Sequence, residues 1–349
     1  MLKRIRKFLS PNLKKRIMHS LPYRVLERLK LKNHKINFSC ELTTKCNAIC
    51  NMCTRKSLIK NKNLYIGDMD KEIINKILQE MKKFHENGKR LYFSPMGLGE
   101  PLLFIGLFDL FKKIKNISKK IEIVLVTNGI LLNKETSKKL VSLGVDEIII
   151  SLNANNPKDY EKIIGVNVYE KVIENIKELI KIRNQSNKKI PRIYIQYLDY
   201  KNNPNFFKQD IKNWLKLMKY NDKCFVHSIA NQAGFYFQGN KLKQSQSYPC
   251  TQPLWRIAIK INGDIYPCDP CFYSGKEKIP SLYLGNILTT DLYKQFSKNS
   301  KRLSIVEDMK KNNYSKLPNC KKCNTYKLAS NNFFKIPKFL RGIFGKKWL

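Results

Sequence analysis

Between residues 36 and 230 the chain alternates short β-branched runs with stretches whose apolar residues recur every three or four positions. The runs 36–42, 90–95, 121–127, 147–153, 192–198 and 224–229 read as strands, and helical spacing appears at 70–86, 106–118, 133–143, 168–185 and 205–219. Six strands alternating with helices predict a parallel sheet with right-handed crossovers, either open or curled into a barrel. After residue 230 the rhythm changes. Residues 255–266 predict a hairpin, with Ile257, Ile259 and Ile261 alternating toward a turn at Asn262-Gly263-Asp264, where glycine supplies the positive φ. A helix near 291–303 and a cysteine pair follow. This segment is too short and polar to hold a large core, so a bound metal centre is its natural staple.

The two ends share a different pattern. In residues 1–35, Leu2, Ile5, Leu9, Leu13 and Ile17 form an apolar stripe among basic residues, broken near Pro11 and Pro22. The tail repeats it, with Phe334, Ile336, Phe339, Leu340, Ile343 and Phe344 among five Lys and Arg. Such ends suit a membrane-surface anchor or a helical extension packed on the main domain; the second is preferred, because an apolar stripe usually faces protein.

Composition adds two constraints. The formal charge of +40, from 67 Lys and Arg against 27 Asp and Glu, invites a polyanion-binding reading. Lysine is spread along the whole chain, however, without the dense basic block of a nucleic-acid footprint. No run approaches the roughly 18 apolar residues of a membrane span, and the N-terminus lacks the apolar core of a signal peptide, so a cytoplasmic protein is expected, with peripheral membrane contact left to the basic ends. In that compartment thiols stay reduced, which turns ten cysteines toward metal ligation.

The first cysteine set is Cys46-x3-Cys50-x2-Cys53, directly after the first strand. Three thiolates can wrap one iron–sulfur cluster and leave one iron without a protein ligand; a zinc site normally wants four ligands. The second strand ends in Met96-Gly97-Leu98-Gly99-Glu100-Pro101, the third in Thr127-Asn128-Gly129 and the fourth in Ser151-Leu152-Asn153, polar groups at the strand ends where parallel α/β enzymes build their sites. Taken singly, Ser151 or Asn153 suits a helix N-cap and Asn128-Gly129 a turn.

With these elements in order, the chain resembles the radical S-adenosylmethionine superfamily, whose signature is Cys-x3-Cys-x2-Cys on the loop after the first strand of a partial (βα)6 barrel. The resemblance implies a [4Fe–4S] cluster on Cys46, Cys50 and Cys53 whose open iron chelates S-adenosylmethionine, followed by reductive cleavage to a 5′-deoxyadenosyl radical. Gly99, Glu100 and Pro101 match the family's Gly-Gly-Glu-Pro element, with Leu98 in place of its first glycine, and Met52 stands where an aromatic residue is common. By the same resemblance, Thr127, Asn128, Ser151 and Asn153 line the cofactor's ribose and methionine.

The second set is Cys250, then Gly263, Cys268 and Cys320-x2-Cys323. It resembles the C-terminal SPASM extension or its shortened Twitch form. No cysteine follows Cys323, which suits the Twitch form with one auxiliary [4Fe–4S] cluster on Cys250, Cys268, Cys320 and Cys323. Four thiolates saturate such a cluster and point to electron transfer; a structural zinc is the alternative, and Cys271 is a spare or an alternative partner of Cys268. Cys40 and Cys224, in expected strands, read as core residues.

The fold expected is thus α/β: a partial (βα)6 TIM-like barrel over 36–235 and a small α+β cluster domain over 245–330, flanked by basic amphipathic segments 1–35 and 331–349. The function implied is oxidation of a small sugar-like or nucleotide-linked substrate by hydrogen abstraction, with the auxiliary cluster as electron acceptor and a ferredoxin- or flavodoxin-type electron donor. Side-chain modification of a peptide or protein is the alternative, ahead of RNA modification and of a non-enzymatic zinc and nucleic-acid binding protein.

Overall fold

The computed structural model describes residues 35–186, 188–227, 252–296, 301–311 and 313–323, with 233, 235 and 250 besides. The basic ends, apart from Lys35, lie outside the described residues. None of the described helices is long and apolar enough to cross a membrane.

Six strands run parallel: β1 (Ile36–Cys40), β2 (Leu91–Pro95), β3 (Glu122–Thr127), β4 (Glu147–Ser151), β5 (Arg192–Leu198) and β6 (Lys223–His227). They lie in the sheet in chain order, with Ile36 opposite Leu91, Glu147 opposite Arg192 and Tyr194 opposite Lys223. The connections carry α1 (Thr54–Lys60), α2 (Lys71–Glu86), α3 (Leu107–Ile117), α4 (Lys134–Ser142), α5 (Pro157–Ile164), α6 (Tyr169–Gln185) and α7 (Lys208–Leu217). Sequential parallel strands with right-handed crossovers place their helices on one face, so the sheet curls around the other into part of a barrel.

Burial follows the period-two alternation of the strands. Ile123, Leu125, Ile148, Ile150, Ile193 and Ile195 are buried in one core with Ile77 and Met81 of α2, Phe111 and Ile114 of α3, and Val172 and Ile176 of α6. Val124, Val126, Ile149, Tyr194 and Gln196 alternate with them, are half-buried, and face the interior of the curl. Two expected strands ran past the observed ends. Leu42 N donates to Cys40 O (3.1 Å) and Leu152 N to Ile150 O (3.1 Å), tight turns that end the regular strands, although Glu41 N still donates to Ile259 O (2.9 Å) and Asn153 N to Gln196 O (3.0 Å) of the neighbouring strands.

Helices α1 and α5 were not expected. In α5 the Asn156 side chain accepts from Asp159 N, Pro157 starts the first turn, and Gly165 closes the helix at φ +82°.

The C-terminal segment is not a separate core. After α8 (Gln252–Trp255), strand β7 (Arg256–Ile259) pairs in parallel with β1, Phe38 opposite Ile257. Strand β8 (Asp264–Tyr266) returns antiparallel, and β9 (Gly285–Asn286) completes a nine-stranded sheet. Gly263 holds the hairpin turn at φ +84°, with Ile261 inside the turn rather than on a strand. Ile257, Ile259, Ile265, Tyr266 and Phe272 join the barrel's own buried cluster, so the segment borrows the core it is too short to build. The helix expected near 291–303 is two helices, α9 (Leu292–Gln295) and α10 (Lys301–Lys310), and α11 (Pro318–Lys322) carries Cys320. Phe84 of α2 meets Phe38, Tyr293 and Phe296 edge-on at 5.4, 5.1 and 5.7 Å, docking this segment on the barrel.

One buried ion pair closes the far side. Arg183 of α6 donates through Nη1 to Asp222 Oδ1 (2.9 Å) and to Pro191 O (2.9 Å), and Asp222 also accepts from Ile193 N (2.8 Å) and Lys219 N (3.0 Å). Removing one partner of such a pair strands a buried charge, so Asp222→Ala is expected to cost about 3–5 kcal/mol, read as a lowered urea midpoint.

Candidate functional site

The expected site residues gather at the carboxyl ends of β1 to β4. The loop from Glu41 to Cys53 has no helix or strand, and its backbone is satisfied by its neighbours. Ile49 N donates to Ile164 O (3.1 Å) and Asn51 N to Ile163 O (2.9 Å), using carbonyls that the C-terminus of α5 cannot pair internally. On the other side Glu100 N donates to Lys45 O (2.8 Å). Two glycines make these approaches feasible. A Cβ on Gly99 would lie 2.1 Å from Thr43 O, and one on Gly165 would lie 2.5 Å from Ile49 O.

Cys46, Cys50 and Cys53 are half-buried on this loop, and none of the ten cysteines forms a disulfide. Burial pushes all three thiols up; for Cys50 the charges of Cys53 and Cys46 add to it and the thiol reaches about 12. Thiols held this close repel as thiolates unless cations sit among them. Among the described residues no three His, Cys, Asp or Glu side chains stand close enough to grip a single metal ion. The donor chemistry, three soft thiols with no histidine or carboxylate in their set, fits an iron–sulfur cluster.

Glu100 organises the rim. It is buried, and its carboxylate accepts from Thr127 Oγ1 (2.8 Å), Asn128 N (2.8 Å) and Leu102 N (3.1 Å). Burial still pushes its pKa up, against the pull of those donors. Asn128 donates through Nδ2 to Asn47 Oδ1 (2.8 Å), tying the end of β3 to the cysteine loop, and its Oδ1 accepts from Ile130 N (3.0 Å). The polar side chains of Glu100, Thr127 and Asn128 are therefore spent within the protein, Glu100 with Thr127 and Asn128 with Asn47. Pro101 is buried at the start of the following turn. Ser151 ends β4 half-buried. Asn153 differs: it is buried, sits at φ +62°, donates its N–H to Gln196 O (3.0 Å), and its Oδ1 finds no hydrogen-bond partner among the described residues. Its side-chain oxygen thus keeps an unused hydrogen-bonding capacity at the end of β4.

Three residues here escaped sequence reading. Asn47 lies inside the cysteine motif as an unremarkable spacer. Tyr160 of α5 is fully buried, its hydroxyl lacks a hydrogen-bond partner among the described residues, and it feels the charges of Cys50 and Glu100. Glu41 is buried at the end of β1, where Oε1 accepts from Leu98 N (3.1 Å) and Oε2 from Ile261 N (3.3 Å), linking the β2 rim to the β7–β8 hairpin. After β5, Tyr200 donates its hydroxyl to Asp159 Oδ2 (2.7 Å), and Asp199 accepts from Asn203 N (2.8 Å).

The second thiol set converges beside the hairpin. Burial pushes Cys250 and Cys320 up; charge on Cys268 and Cys323 adds to the effect at Cys250, and charge on Cys268, Cys250 and Cys323 at Cys320. Arg256 on β7 stands near Cys268 and Cys250, is ion-paired with Asp269, and donates to Met96 Sδ (3.8 Å) on the first site's rim. Cys40 is fully buried in β1 as expected, whereas Cys224, on edge strand β6, is half-buried.

A curled parallel sheet with one cysteine triad at its strand ends, and a second thiol set in the segments flanking the strands added beside β1, suits iron–sulfur ligation at two places. Residues 40–189 match the Radical SAM superfamily, and residues 250–324 match the SPASM iron-sulfur cluster-binding domain. By these matches the chain carries a radical SAM domain, which implies a [4Fe–4S] cluster and S-adenosylmethionine, and a SPASM domain, which implies auxiliary iron–sulfur binding. It is 31% identical over 163 residues, 47% of this chain and 43% of the relative, to the tungsten-containing aldehyde ferredoxin oxidoreductase cofactor-modifying protein of Pyrococcus furiosus. It is 35% identical over 141 residues, 40% of this chain and 44% of the relative, to a probable GTP 3′,8-cyclase of Methanocaldococcus jannaschii. The chain spans under half the length of these two relatives. Its fold is similar to that of native anSMEcpe with bound AdoMet, with a TM-score of 0.59 at 17% identity over 88% of this chain and 98% of that one.

Two outcomes follow from this geometry. Gly99→Ala is expected to displace the cysteine loop, lowering the iron bound after anaerobic reconstitution while far-ultraviolet circular dichroism stays near wild type. Burial pushes Glu41 up to about 7 from its ordinary 4.5. The folded chain then holds a proton that the unfolded chain has released, so stability contributed below about 4.5 is lost as pH rises through about 7. Denaturant midpoints measured across that window are expected to fall with pH in wild type and to flatten in Glu41→Gln.

Proposed function

We propose that this enzyme oxidises a small sugar-like or nucleotide-linked substrate by hydrogen abstraction within the half-open barrel, with an auxiliary cluster as electron acceptor. The observation that carries the reading is the cysteine triad seated over a strand-end rim that keeps one buried acceptor, Asn153 Oδ1, unspent. In this reading Cys46, Cys50 and Cys53 hold the first cluster, and Cys250, Cys268, Cys320 and Cys323 a single auxiliary [4Fe–4S] cluster. When bound, the first cluster and S-adenosylmethionine supply a 5′-deoxyadenosyl radical, the hydrogen-abstracting agent.

The chain's own residues orient and shield. Glu100 is occupied by Thr127, Asn128 and Leu102, so Gly99, Glu100 and Pro101 address the cofactor's methionine through their backbone. Thr127 and Asn128 hold the rim in place. Asn153 offers its carbonyl oxygen to a ribose hydroxyl, beside the Ser151 hydroxyl. The interior face with Tyr194 and Gln196 contacts substrate and keeps water from the reacting C–H bond. A nucleotide-linked substrate draws support from the relative that is a probable GTP 3′,8-cyclase, whose match covers two fifths of this chain. A ferredoxin- or flavodoxin-type protein supplies the electron.

Anaerobically reconstituted protein is expected to bind about eight irons, two four-iron clusters, and, once reduced, to release 5′-deoxyadenosine from S-adenosylmethionine. Cys46→Ala is expected to abolish that release. Zinc without iron, and no cleavage, would overturn the reading; about four irons with cleavage would return the second set to zinc.

A further inference from the structure

Five thiols surround the second site, and four of them satisfy a four-iron cluster. The fifth, Cys271, is 1% exposed and lies on the short 3-10 helix Asp269–Ser274, which Cys268 precedes. Its Sγ is 3.5 Å from Cys268 Sγ. The surrounding contacts fix it there: Ser274 Oγ donates to Cys271 O (3.0 Å), and the buried Lys260 ammonium donates to Ser274 Oγ (3.1 Å) and to Gly275 O. Cys268 lies near Cys250, Cys320 and Cys271, and Cys271 lies near Cys268 and Cys320.

We propose that Cys271 is not a ligand but a thiol that donates an S–H···S hydrogen bond to the ligating sulfur of Cys268, and so raises the reduction potential of the auxiliary cluster. This rests on the ligand set proposed above. A ligating cysteine binds as thiolate and has no proton to give, so across the 3.5 Å contact only Cys271 can be the donor. Hydrogen bonds to cluster sulfurs withdraw charge from the iron and stabilise the reduced state, one of the levers by which a protein sets an iron–sulfur potential. The direction suits an electron acceptor: a higher potential makes it easier to reduce. Cys271 is thus a positioning residue, acting through Cys268.

The test is a redox titration of the reconstituted full-length protein followed by electron paramagnetic resonance, with S-adenosylmethionine added to shift the first cluster's signal away from the second. Cys271→Ala is expected to keep wild-type iron and lower the auxiliary potential about tenfold in equilibrium terms, about 59 mV for a one-electron couple. Cys271→Ser, which restores a donor, is expected to recover much of that shift. An unchanged potential in Cys271→Ala overturns the proposal, as does loss of the auxiliary iron in Cys271→Ala with its retention in Cys268→Ala, which would make Cys271 the ligand. Wild-type protein holding zinc at the second site would remove the ligand assignment and the proposal together, an outcome the iron count separates from the other two.

Discussion

An irregular loop can present three thiols in a fixed arrangement only if its backbone is tied down from outside, and that constraint shapes the structure around the first cysteine set. From one side, the closing carbonyls of α5 accept from Ile49 and Asn51. From the other, the Gly99–Glu100 step runs so close beneath Thr43 and Lys45 that no side chain fits at 99. Asn128 reaches across from β3 to Asn47. Each tie comes from the end of a different strand or helix, so the loop inherits its rigidity from the order of the sheet.

The hairpin extends the same logic to the second set. Because β7 pairs with β1, the strand that launches the first cysteine loop, the hairpin beside the second set belongs to the same sheet as the first. Glu41 bonds the β2 rim with one oxygen and the hairpin turn with the other, and its neighbour Lys260 reaches on to Ser274 beside Cys271. A displacement of either thiol set is therefore resisted by the same buried polar chain. Such chains stabilise only when every member is satisfied, which makes Glu41 and Lys260 sensitive positions although neither faces a thiol of the first set.

The parts legible in the sequence were those written as periodicity or spacing. The β-branched runs located all six parallel strands, and the cysteine and Gly-Glu-Pro spacings located the rim. Strand ends were overcalled where apolar Leu42 and Leu152 continue the pattern but their amides turn back on the preceding residues. Helix α5 was legible in principle, from Asn156-Pro157 before it and Gly165 after, but eight residues give a weak period. The pairing of β7 with β1 was not legible, because it joins residues more than two hundred positions apart, and a short hairpin looks coreless until its partner strand is known. Asn47, Glu41 and Tyr160 were invisible for a related reason: a lone polar residue acquires meaning only from what the fold brings beside it.

The division of labour between the two thiol sets follows from counting ligands. Three cysteines on a half-buried loop leave room for a small molecule to complete a cluster, and the nearby rim keeps one acceptor, Asn153 Oδ1, in reserve. On the proposed assignment the second set has four, with a fifth thiol packed against one of them, and no room to bind a substrate at iron. A saturated cluster can still exchange electrons, and its chemistry is then set by what hydrogen-bonds its sulfurs. Surplus polarity thus points in opposite directions at the two sites: toward a ligand at the first, toward the cluster's own sulfur at the second.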